Sequence, residues 1–467
     1  MSVRFTWNEL TQLTGGQWRR EPRAPDGVAG VQDDSRRVAG GELFVAIRGE
    51  LADGHRFAAK AVRSGAAAIC LAQEPDADTL AALAETGAGC LLVPDTLVAF
   101  QELARAHRRR LRRLLLVAIT GSCGKTSTKE MIAAVLEAKW PGHVHKTAGN
   151  YNNHFGVPRT LLELDESHRA AVIEIGSNHP GEIAALTRLA EPEIGVVSNI
   201  GSAHLEFFRD LAGVAAEKGD LLAGTAATGI CILPAEAAHD DILRRQAGPR
   251  RILTFGTGEN AQVRARYQGL VGDEYQVELE RDKPLRQAVL RWRIGGAHQA
   301  LNAAAATAVG CAVGLDLPAC AAALARCELP GMRMKVLELD GVRWVNDAYN
   351  ANPTSMRAGL EWFQDLLASQ PDAPHVLVLG DMLELGPEGA AVHRDLLAWV
   401  RERFPRARIL AVGPLMGEAA RACGLAAAPD AAQAAARLQE WLRPGTLVFL
   451  KGSRGLALEG CLPKTAP

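Results

Sequence analysis

The feature that most constrains the fold is LVAITGSCGKTSTKEM, from Leu116 to Met131, where an apolar run meets a glycine-containing loop and then a helix-forming segment. This order is that of a phosphate-binding loop, in which backbone N–H groups and a helix N-terminus hold an anion. The standard pattern G-x-x-x-x-G-K-[ST] has a glycine where this chain has Ile119. The strand therefore continues further into the loop, and the sequence predicts a strand–loop–helix unit in a parallel sheet.

A loop that lacks this first glycine can still bind nucleotide phosphates. Lys125 can reach the β- and γ-phosphates of a nucleotide, and Thr126 can offer its hydroxyl to Mg²⁺ where the helix begins. A plain glycine turn is the alternative, but the strand before the loop and the helical segment after it favour ATP. The predicted nucleotide-binding residues of the loop are Gly121, Ser122, Cys123, Gly124, Lys125, Thr126 and Ser127.

Strand-like apolar runs alternate with alanine- and leucine-rich helical stretches, which predicts an α/β protein with mainly parallel strands. We expect three domains, at 1–113, 114–325 and 326–467. The first ends in the basic helical cluster HRRRLRR, which we interpret as a solvent-exposed face. The central domain carries the phosphate loop in a mainly parallel, ATPase-type sheet. The third contains HVLVLG, ARILAVG and GTLVFLKGS and is predicted to be Rossmann-like.

Composition excludes several classes of protein. Lys and Arg number 52 against 53 Asp and Glu, so no overall basic field favours nucleic acid or an acidic membrane as partner. The nine cysteines include no CxxC pair, which favours reduced thiols. Because the sequence has no secretory-type start and no apolar run of about 20 residues, we expect a cytoplasmic protein without stable membrane anchoring. Nothing in the sequence indicates an obligate interface, and we expect a monomer.

Two further apolar runs of the central domain end in polar residues. Glu174 ends AVIEIG, and His204 follows EIGVVSNIGSA. In open α/β sheets ligands bind beyond the carboxyl ends of the strands, so Glu174 can hold a metal ion that bridges nucleotide phosphates. Taken alone, a strand glutamate is more often an ion-pair partner, and a lone histidine is more often structural.

Seven segments occur in order and together resemble the Mur ligase family: TGSCGKTSTKE, AGNYNNHFGVPRTLLEL, VIEIGSNHPGEI, NIGSAHLEFF, GVAAEKGDLL, NDAYNANPTSM and GDMLELG. The loop form TGxxGK[ST] is usual in that family, which accounts for the missing glycine. The resemblance implies an ATP-dependent amide ligase of peptidoglycan precursor synthesis, with an N-terminal UDP-sugar-binding domain. YNANP and GDMLELG indicate the member that adds D-alanyl-D-alanine to UDP-N-acetylmuramoyl-tripeptide, and the DNPR motif of the diaminopimelate-adding member is absent from the sequence.

The resemblance also implies the catalytic set. Making an amide from a carboxylate requires ATP to convert it into an acyl phosphate, which an amine then attacks. The implied catalytic residues are Lys125, Glu174, His204 and Lys218, and Lys218 in AAEKGD matches the position that CO₂ carbamylates in the family. Two Mg²⁺ ions would be held by Thr126, Glu174, His204 and the carbamate of Lys218. From the residues alone, Lys218 is a surface lysine of a helix.

The remaining substrate contacts follow from the resemblance and from polar loops. Asn302 lies four residues after His298 and matches the adenine-side motif HNxxN, whose second position is Gln299 here. Polar turns explain several of the other segments nearly as well. The implied contacts are Asn302, Arg333 and Asp347 for ATP, Ser35 and Arg36 for the uridine nucleotide, Asn150, Asn152 and Asn153 for sugar, phosphate or peptide, and Lys451 and Ser453 for the dipeptide.

Three other functions stay open at this point. A folylpolyglutamate-type or cyanophycin-type ligase would share the loop but lack the UDP-sugar segment and YNANP. A P-loop NTPase switch or motor would hydrolyse ATP without an acceptor. A scaffold with a vestigial loop would need none of Lys125, Thr126 and Glu174. The sequence does not distinguish meso-diaminopimelate from lysine at the third position of the tripeptide.

Overall fold

The computed structural model describes residues 4–24, 26–49, 52–201, 205–283 and 285–463. Over these residues the strands form three sheets, which follow one another along the chain. Each sheet is mainly parallel and carries helices, so the predicted α/β class with three domains is confirmed. No helix within the described ranges combines the length and apolar character needed to cross a membrane.

The first sheet lies in the N-terminal part of the chain. Its strands are β1 (Gln17–Arg20), β2 (Val31–Gln32), β3 (Leu43–Val45), β4 (Ala68–Leu71) and β5 (Gly89–Leu92), and its helices are α1 (Trp7–Thr14), α2 (Ala58–Arg63), α3 (Ala77–Thr86) and α4 (Thr96–Arg110), with a 3₁₀ turn at Gly54–Phe57. The strand order is β1-β5-β4-β3-β2, and β1 alone of these strands is antiparallel to its neighbour. Asp95 begins α4 by accepting hydrogen bonds from two backbone N–H groups of its first turn.

The central sheet contains the phosphate loop. Its strands are β6 (Leu115–Thr120), β7 (Val144–Lys146), β8 (Ala170–Glu174), β9 (Ile194–Val197), β10 (Ile230–Pro234), β11 (Arg251–Gly256), β12 (Val263–Val271), β13 (Glu274–Arg281) and β14 (Arg286–Trp292). Its helices are α5 (Lys125–Glu137), α6 (Gly156–Leu162), α7 (Glu182–Ala190), α8 (Leu205–Phe208), α9 (Leu211–Gly224), α10 (Asp240–Ala247), α11 (Ala297–Ala312) and α12 (Leu317–Leu324). The order is β14-β13-β12-β11-β10-β9-β6-β8-β7, parallel from β7 to β12 and antiparallel beyond it. Since β6 lies between β8 and β9, the ends of these three strands meet at the phosphate loop.

The third sheet forms the predicted Rossmann-like domain. Its strands are β15 (Lys335–Leu339), β16 (Val342–Asn346), β17 (His375–Gly380), β18 (Arg408–Val412), β19 (Ala426–Ala428) and β20 (Leu447–Lys451), and its helices are α13 (Pro353–Ala368), α14 (Gly389–Arg403), α15 (Pro414–Ala422) and α16 (Ala431–Trp441), with 3₁₀ turns at Gly386–Glu388, Arg454–Leu456 and Leu458–Cys461. The order is β15-β16-β20-β17-β18-β19, with β15 antiparallel to the rest.

The hydrophobic cores cross the borders between the sheets. Alternate residues of β6 face opposite sides, as the strand period of two requires. Val117 and Ile119 pack in a cluster with α5, α11 and apolar residues of α13 such as Phe363. Leu116 and Ala118 belong to a second cluster, which includes α4 and buried residues of the first sheet. The central sheet therefore shares one core with each of its neighbours.

The basic end of α4 is solvent-exposed only in part. The Arg108 side chain is buried, and its guanidinium donates to two backbone carbonyls around Glu191 and to Glu193 Oε1 at 2.7 Å. Arg105 and Arg109 both pair with the carboxylate of Glu191. The interpretation of this cluster as a solvated surface is wrong for Arg108, which fastens the first domain to the loop that follows α7. The other arginines of the cluster are exposed, as predicted: Arg109, Arg110, Arg112 and Arg113.

Candidate functional site

The phosphate loop depends on glycine at two positions. Gly121 has φ of 148°, and a Cβ there would lie 2.0 Å from Ser198 Oγ. Gly124 has φ of 74°, and a Cβ there would lie 2.8 Å from Asn302 Oδ1. Both conformations are ones that residues with a Cβ rarely adopt. The backbone can therefore curl around an anion at the N-terminus of α5, as the sequence predicted.

The segment after β9 holds the loop in place. Ser122 Oγ donates to Gly201 O at 2.9 Å, and Cys123 N donates to Asn199 Oδ1 at 2.9 Å. Ser198 Oγ donates to Cys123 O at 2.7 Å. Sequence analysis assigned no role to Ser198 or Asn199, although a polar pair directly after a buried strand is the signal that it used elsewhere. The side chain of Ser122 supports the loop from within the fold.

Lys125 begins α5 and points back over the loop. Its Nζ donates to Gly121 O at 2.8 Å. Withdrawal of the ammonium from solvent lowers the pKa of Lys125 below its ordinary value, and the nearby carboxylate of Glu174 opposes that shift. The loop therefore places a cation at the N-terminus of α5, where a polyphosphate can bind.

Glu174 lies at the end of β8 and is 2% exposed. Asn152 Nδ2 donates to Glu174 Oε1 at 2.8 Å, and Glu174 N donates to Thr147 Oγ1 at 3.0 Å. Glu174 Oε2 has no hydrogen-bond partner in the part of the chain that the structure describes. A buried carboxylate oxygen without a donor is available to a cation. The amide of Asn152, which was predicted to bind substrate, therefore donates a hydrogen bond to the predicted metal ligand Glu174.

The residues fit Mg²⁺ at this point. Thr126 and Glu174 are both buried and line one cavity, and hard oxygen donors are what Mg²⁺ takes. Arg333 Nη2 donates to Thr126 Oγ1 at 3.2 Å. Among the residues that the structure describes, no three His, Cys, Asp or Glu side chains gather as a metal cluster. His204, a predicted metal ligand, lies outside the described residues.

Lys218 is a buried residue of α9, and its interpretation as a surface lysine is wrong. It is 1% exposed, and its Nζ donates to Ser177 Oγ at 2.6 Å. Burial lowers the pKa of Lys218 to about 7, and the neighbouring charge of Lys125 adds to the effect. A neutral amine is the form that reacts with CO₂, and the carbamate that the resemblance implied for Lys218 stays a prediction. Ser177, its partner, lines the cavity.

The start of α11 approaches the loop at Gly124, close to Asn302. Asn302 is buried and its Nδ2 donates to Gln299 Oε1 at 3.0 Å, so the residue that departs from the family motif supports the one that matches it. Burial lowers the pKa of His298 to about 4, which leaves its imidazole neutral at pH 7. His298, Gln299 and Asn302 all line the cavity.

The third domain contributes a second group of charges. The guanidinium of Arg333 lies 3.8 Å from the ring centroid of Tyr349. Lys451 Nζ pairs with Asp347 Oδ2 at 2.5 Å, and both side chains are nearly inaccessible to solvent. Burial raises the pKa of Asp347, although Lys451 acts in the opposite direction. The ammonium of Lys451 is thus committed to Asp347, and its direct contact with a substrate stays a prediction.

The first domain completes the enclosure. Ser35 and Arg36 line the cavity, and Arg36 pairs with Asp34, which lowers the pKa of that carboxyl to about 2. Arg159 of α6 donates two hydrogen bonds to Asp33, at 3.1 and 2.6 Å. Sequence analysis missed this pair, because neither residue alone shows that its partner lies in another domain.

These parts surround one cavity of about 1310 Å³. Its walls come from all three domains, and most of the predicted site residues face it. A smaller cavity of about 340 Å³ adjoins the loop and includes Ser453. Lining the larger cavity are Ser35, Arg36, Ser122, Cys123, Gly124, Lys125, Thr126, Ser127, Asn150, Asn152, Asn153, Glu174, Asn302, Arg333, Asp347 and Lys451.

Comparisons with known proteins agree with this arrangement. Residues 27–108 match the Mur ligase family, catalytic domain, residues 119–310 the Mur ligase middle domain, and residues 332–454 the Mur ligase, glutamate ligase domain. UDP-N-acetylmuramoyl-tripeptide--D-alanyl-D-alanine ligase of Bacillus subtilis (strain 168) is 33% identical over 98% of this chain and 97% of its own length. The chain belongs to the Mur ligase family. This Mur ligase is therefore an ATP-dependent peptide ligase.

Other relatives of this Mur ligase are similar over most of their length. The enzyme of the same name from Escherichia coli (strain K12) is 37% identical over 84% of this chain and 82% of its own. A crystal structure of MurF from Acinetobacter baumannii has a TM-score of 0.87 at 32% identity, covering 98% of both chains. MurF ligase from Thermotoga maritima in complex with ADP has a TM-score of 0.78 at 26% identity, covering 92% of this chain and 96% of that one.

Proposed function

We propose that this Mur ligase joins D-alanyl-D-alanine to UDP-N-acetylmuramoyl-tripeptide, using ATP and an acyl-phosphate intermediate, in peptidoglycan precursor synthesis. The observation that carries the proposal is the single cavity that the phosphate loop shares with Ser35 and Arg36 of the first domain and with Asn350 and Tyr349 of the third. The relatives from Bacillus subtilis and Escherichia coli are named for that reaction, and they are similar to this chain over most of its length.

The reaction needs two bond exchanges. A carboxylate oxygen of the tripeptide bonds to the γ-phosphorus of ATP while the bond to the bridging oxygen breaks, which yields ADP and an acyl phosphate. The acceptor amine then bonds to the acyl carbon and loses a proton, and phosphate leaves. Lys125 and the N–H groups of the loop hold the phosphates in line through both exchanges. Arg333 donates to Thr126 and so adds a second cation, besides Lys125, at the start of α5.

The metal assignment rests on the oxygens that the fold leaves free. Thr126 and Glu174 would hold one Mg²⁺, and His204 with a carbamylated Lys218 would hold a second. When bound, the ions neutralise the charge of the phosphates. Asn152 keeps Oε1 of Glu174 fixed, while Oε2 has no hydrogen-bond partner among the described residues.

The carbamate of Lys218 has a physical basis in its surroundings. Carbamylation requires the neutral amine, whose nitrogen bonds to the carbon of dissolved CO₂ and releases a proton to solvent. With a pKa of about 7, Lys218 is neutral in a large fraction of molecules at neutral pH. The change converts a buried cation into an anion, which suits a site that contains Lys125 and would contain Mg²⁺.

The smaller cavity is suited to the acceptor. It reaches Lys125 and Asn150 on one side and the loops around Leu383, Ser453 and Arg454 on the other. Arg454 pairs with Glu459 at 2.6 Å, and a guanidinium in this position can bind the carboxylate of a dipeptide. Ser453 Oγ accepts from Leu383 N at 3.0 Å, so it shapes the wall of this cavity. The volume of about 340 Å³ is sufficient for a small dipeptide.

We further propose that the enzyme acts in the cytoplasm as a monomer, without nucleic acid partners and without stable membrane anchoring. The near-balance of 52 basic against 53 acidic residues supports the absence of nucleic acid and acidic membrane partners.

Phosphate release from ATP tests the proposal. The purified protein is assayed with UDP-N-acetylmuramoyl-tripeptide and one acceptor at a time: D-alanyl-D-alanine, free diaminopimelate, L-alanine or glutamate. We expect release and a new amide with the dipeptide alone. Release without any acceptor would instead indicate a nucleotide hydrolase, and a preference for a single amino acid would assign another ligase. Running the assay with tripeptides ending in meso-diaminopimelate or lysine identifies the third residue.

A further inference from the structure

Lys129 is a fully buried lysine that the proposed reaction does not use. It lies one helical turn beyond Lys125 in α5 and is 0% exposed. Lysine is almost never fully buried unless it is paired, because removing an ammonium from water is costly. An apolar side chain of similar length would fill the same space without that cost. The burial of Lys129 therefore indicates a role that requires its positive charge or its three N–H donors.

The ammonium of Lys129 lies where three elements of the site meet. Its Nζ donates to Thr147 O at 2.7 Å, and Thr147 directly follows β7, three residues before Asn150. The same Nζ lies 4.0 Å from Glu174 Oε2, the oxygen without a hydrogen-bond partner in the described residues. Because Lys129 itself belongs to the helix that begins at the phosphate loop, one ammonium links that helix, the segment that leads from β7 into the asparagine loop, and the end of β8.

A second contact shows how the charge is balanced. Lys129 Nζ lies 3.0 Å from Glu130 Oε1, and Glu130 also pairs with Lys146. Lys146 is about half exposed, whereas Glu130 is buried. Lys129 therefore has a permanent counterion that is independent of Glu174. Its approach to Glu174 is set by the fold, so it can fix the carboxylate on one side while Asn152 fixes it on the other.

We propose that Lys129 is a positioning residue for the metal site: it holds Glu174 and the asparagine loop in the arrangement that binds Mg²⁺ together with the nucleotide. The inference rests on the proposed metal-dependent reaction. Removing groups that orient a metal ligand typically weakens metal affinity by about 10- to 100-fold.

The test is ATP binding by Lys129→Met, measured by calorimetry with Mg²⁺ titrated from zero. Methionine keeps the length of the side chain and removes its charge and donors. In the absence of Mg²⁺ we expect the variant to bind ATP as the wild type does. The Mg²⁺ concentration that gives half of the gain in ATP affinity should rise by about tenfold or more. Turnover of the variant should be lower than that of the wild type at a fixed Mg²⁺ concentration and should recover in part at high Mg²⁺.

Lys146→Met is the matched control. It removes the other cation of Glu130, and among the described residues the Lys146 ammonium forms no hydrogen bond with Thr147 or Glu174. We therefore expect unchanged Mg²⁺ dependence. If Lys129→Met is poorly folded, Lys129→Met/Glu130→Gln removes the buried pair together, which buried sites tolerate better than half a pair. The double variant should show the same shift in Mg²⁺ dependence.

Two results would overturn the inference in distinguishable ways. Half-effective Mg²⁺ within twofold of wild type in the folded variants would make Lys129 a packing residue and leave the proposed reaction intact. A wild-type protein whose ATP affinity does not respond to Mg²⁺ at all would remove the metal assignment itself, and with it the role of Lys129.

Discussion

At the scale of single residues, the site is built on lysines withdrawn from water. Lys125 donates to a carbonyl of its own loop, and Lys218 donates to Ser177. The pKa of each is lowered by burial. Sequence analysis identified both positions, but it could not predict the burial of Lys218, because a lysine in a helix gives no local sign of what packs over it. Lys129 was missed for the same reason.

Lys125→Ala should abolish ligation while leaving the fold intact. The substitution removes the cation that the loop presents to the phosphates, and the loss of one such group slows catalysis by about 100-fold or more. Binding of UDP-N-acetylmuramoyl-tripeptide, measured by calorimetry, should be nearly unchanged, since Lys125 is not among its proposed contacts. Wild-type turnover by this variant would contradict the assignment of the loop.

Lys218→Ala should lose turnover while it still binds ATP through the loop. If the working form is a carbamate, a small carboxylate such as acetate can partly replace it in the space left by the side chain. Lys218→Arg should not respond to acetate, because guanidinium keeps its charge and fills the space.

The measurement for Lys218 is turnover against acetate concentration, with the wild type assayed in buffer with and without CO₂. Near-normal turnover of Lys218→Ala in CO₂-depleted buffer would show that Lys218 is only a buried structural lysine.

At the scale of elements, the parallel strands determine the position of the site more than any single motif does. Apolar runs with polar ends predicted that β6 and β8 end together, and the sheet confirms it. The contact between the segment after β9 and the phosphate loop was not predictable, since it depends on which strands are neighbours. Asn152 shows the limit of assignment by residue type: a loop asparagine, predicted to contact substrate, donates to Glu174.

Asn199→Ala should weaken ATP binding although Asn199 is not one of the loop residues predicted to bind the nucleotide. The variant leaves the N–H of Cys123 without its acceptor, which costs about 1–3 kcal/mol for a buried donor and loosens the curl of the loop. We expect ATP affinity to fall by about tenfold or more, with a small drop in melting temperature. The control is Asn199→Asp, which retains the acceptor oxygen; equal affinities of Asn199→Ala and wild type would show that the loop holds its shape alone.

At the scale of the whole molecule, three domains contribute to one enclosure and are fastened unequally. Arg108 joins the first domain to the central one by several hydrogen bonds. The third domain reaches the phosphate loop through Arg333. The sequence predicted three α/β domains and their order, because each has its own set of apolar runs. It did not predict how they are fastened, since the partners lie far apart along the chain.

Arg108→Ala should destabilise the protein without altering the chemistry. The guanidinium hydrogen-bonds two carbonyls and pairs with Glu193, and loss of such charged hydrogen bonds costs about 2–3 kcal/mol. Urea unfolding should show the loss. Turnover per folded molecule should stay near the wild-type value, because Arg108 does not line the cavity. Arg112→Ala, at the end of the same basic cluster, is the control and should leave the stability unchanged.

The two apolar clusters that cross the domain borders have a consequence for exchange of domains between relatives. Three separate family matches along the chain give the impression of modules that can be recombined freely. Leu116 and Ala118 of the central sheet, however, complete a core with α4 of the first domain. A chimera that joins this central domain to the first domain of a distant family member would bring together surfaces that have not been shaped for each other. Transplanting the domain would therefore require its packing partners on β6 to be exchanged with it.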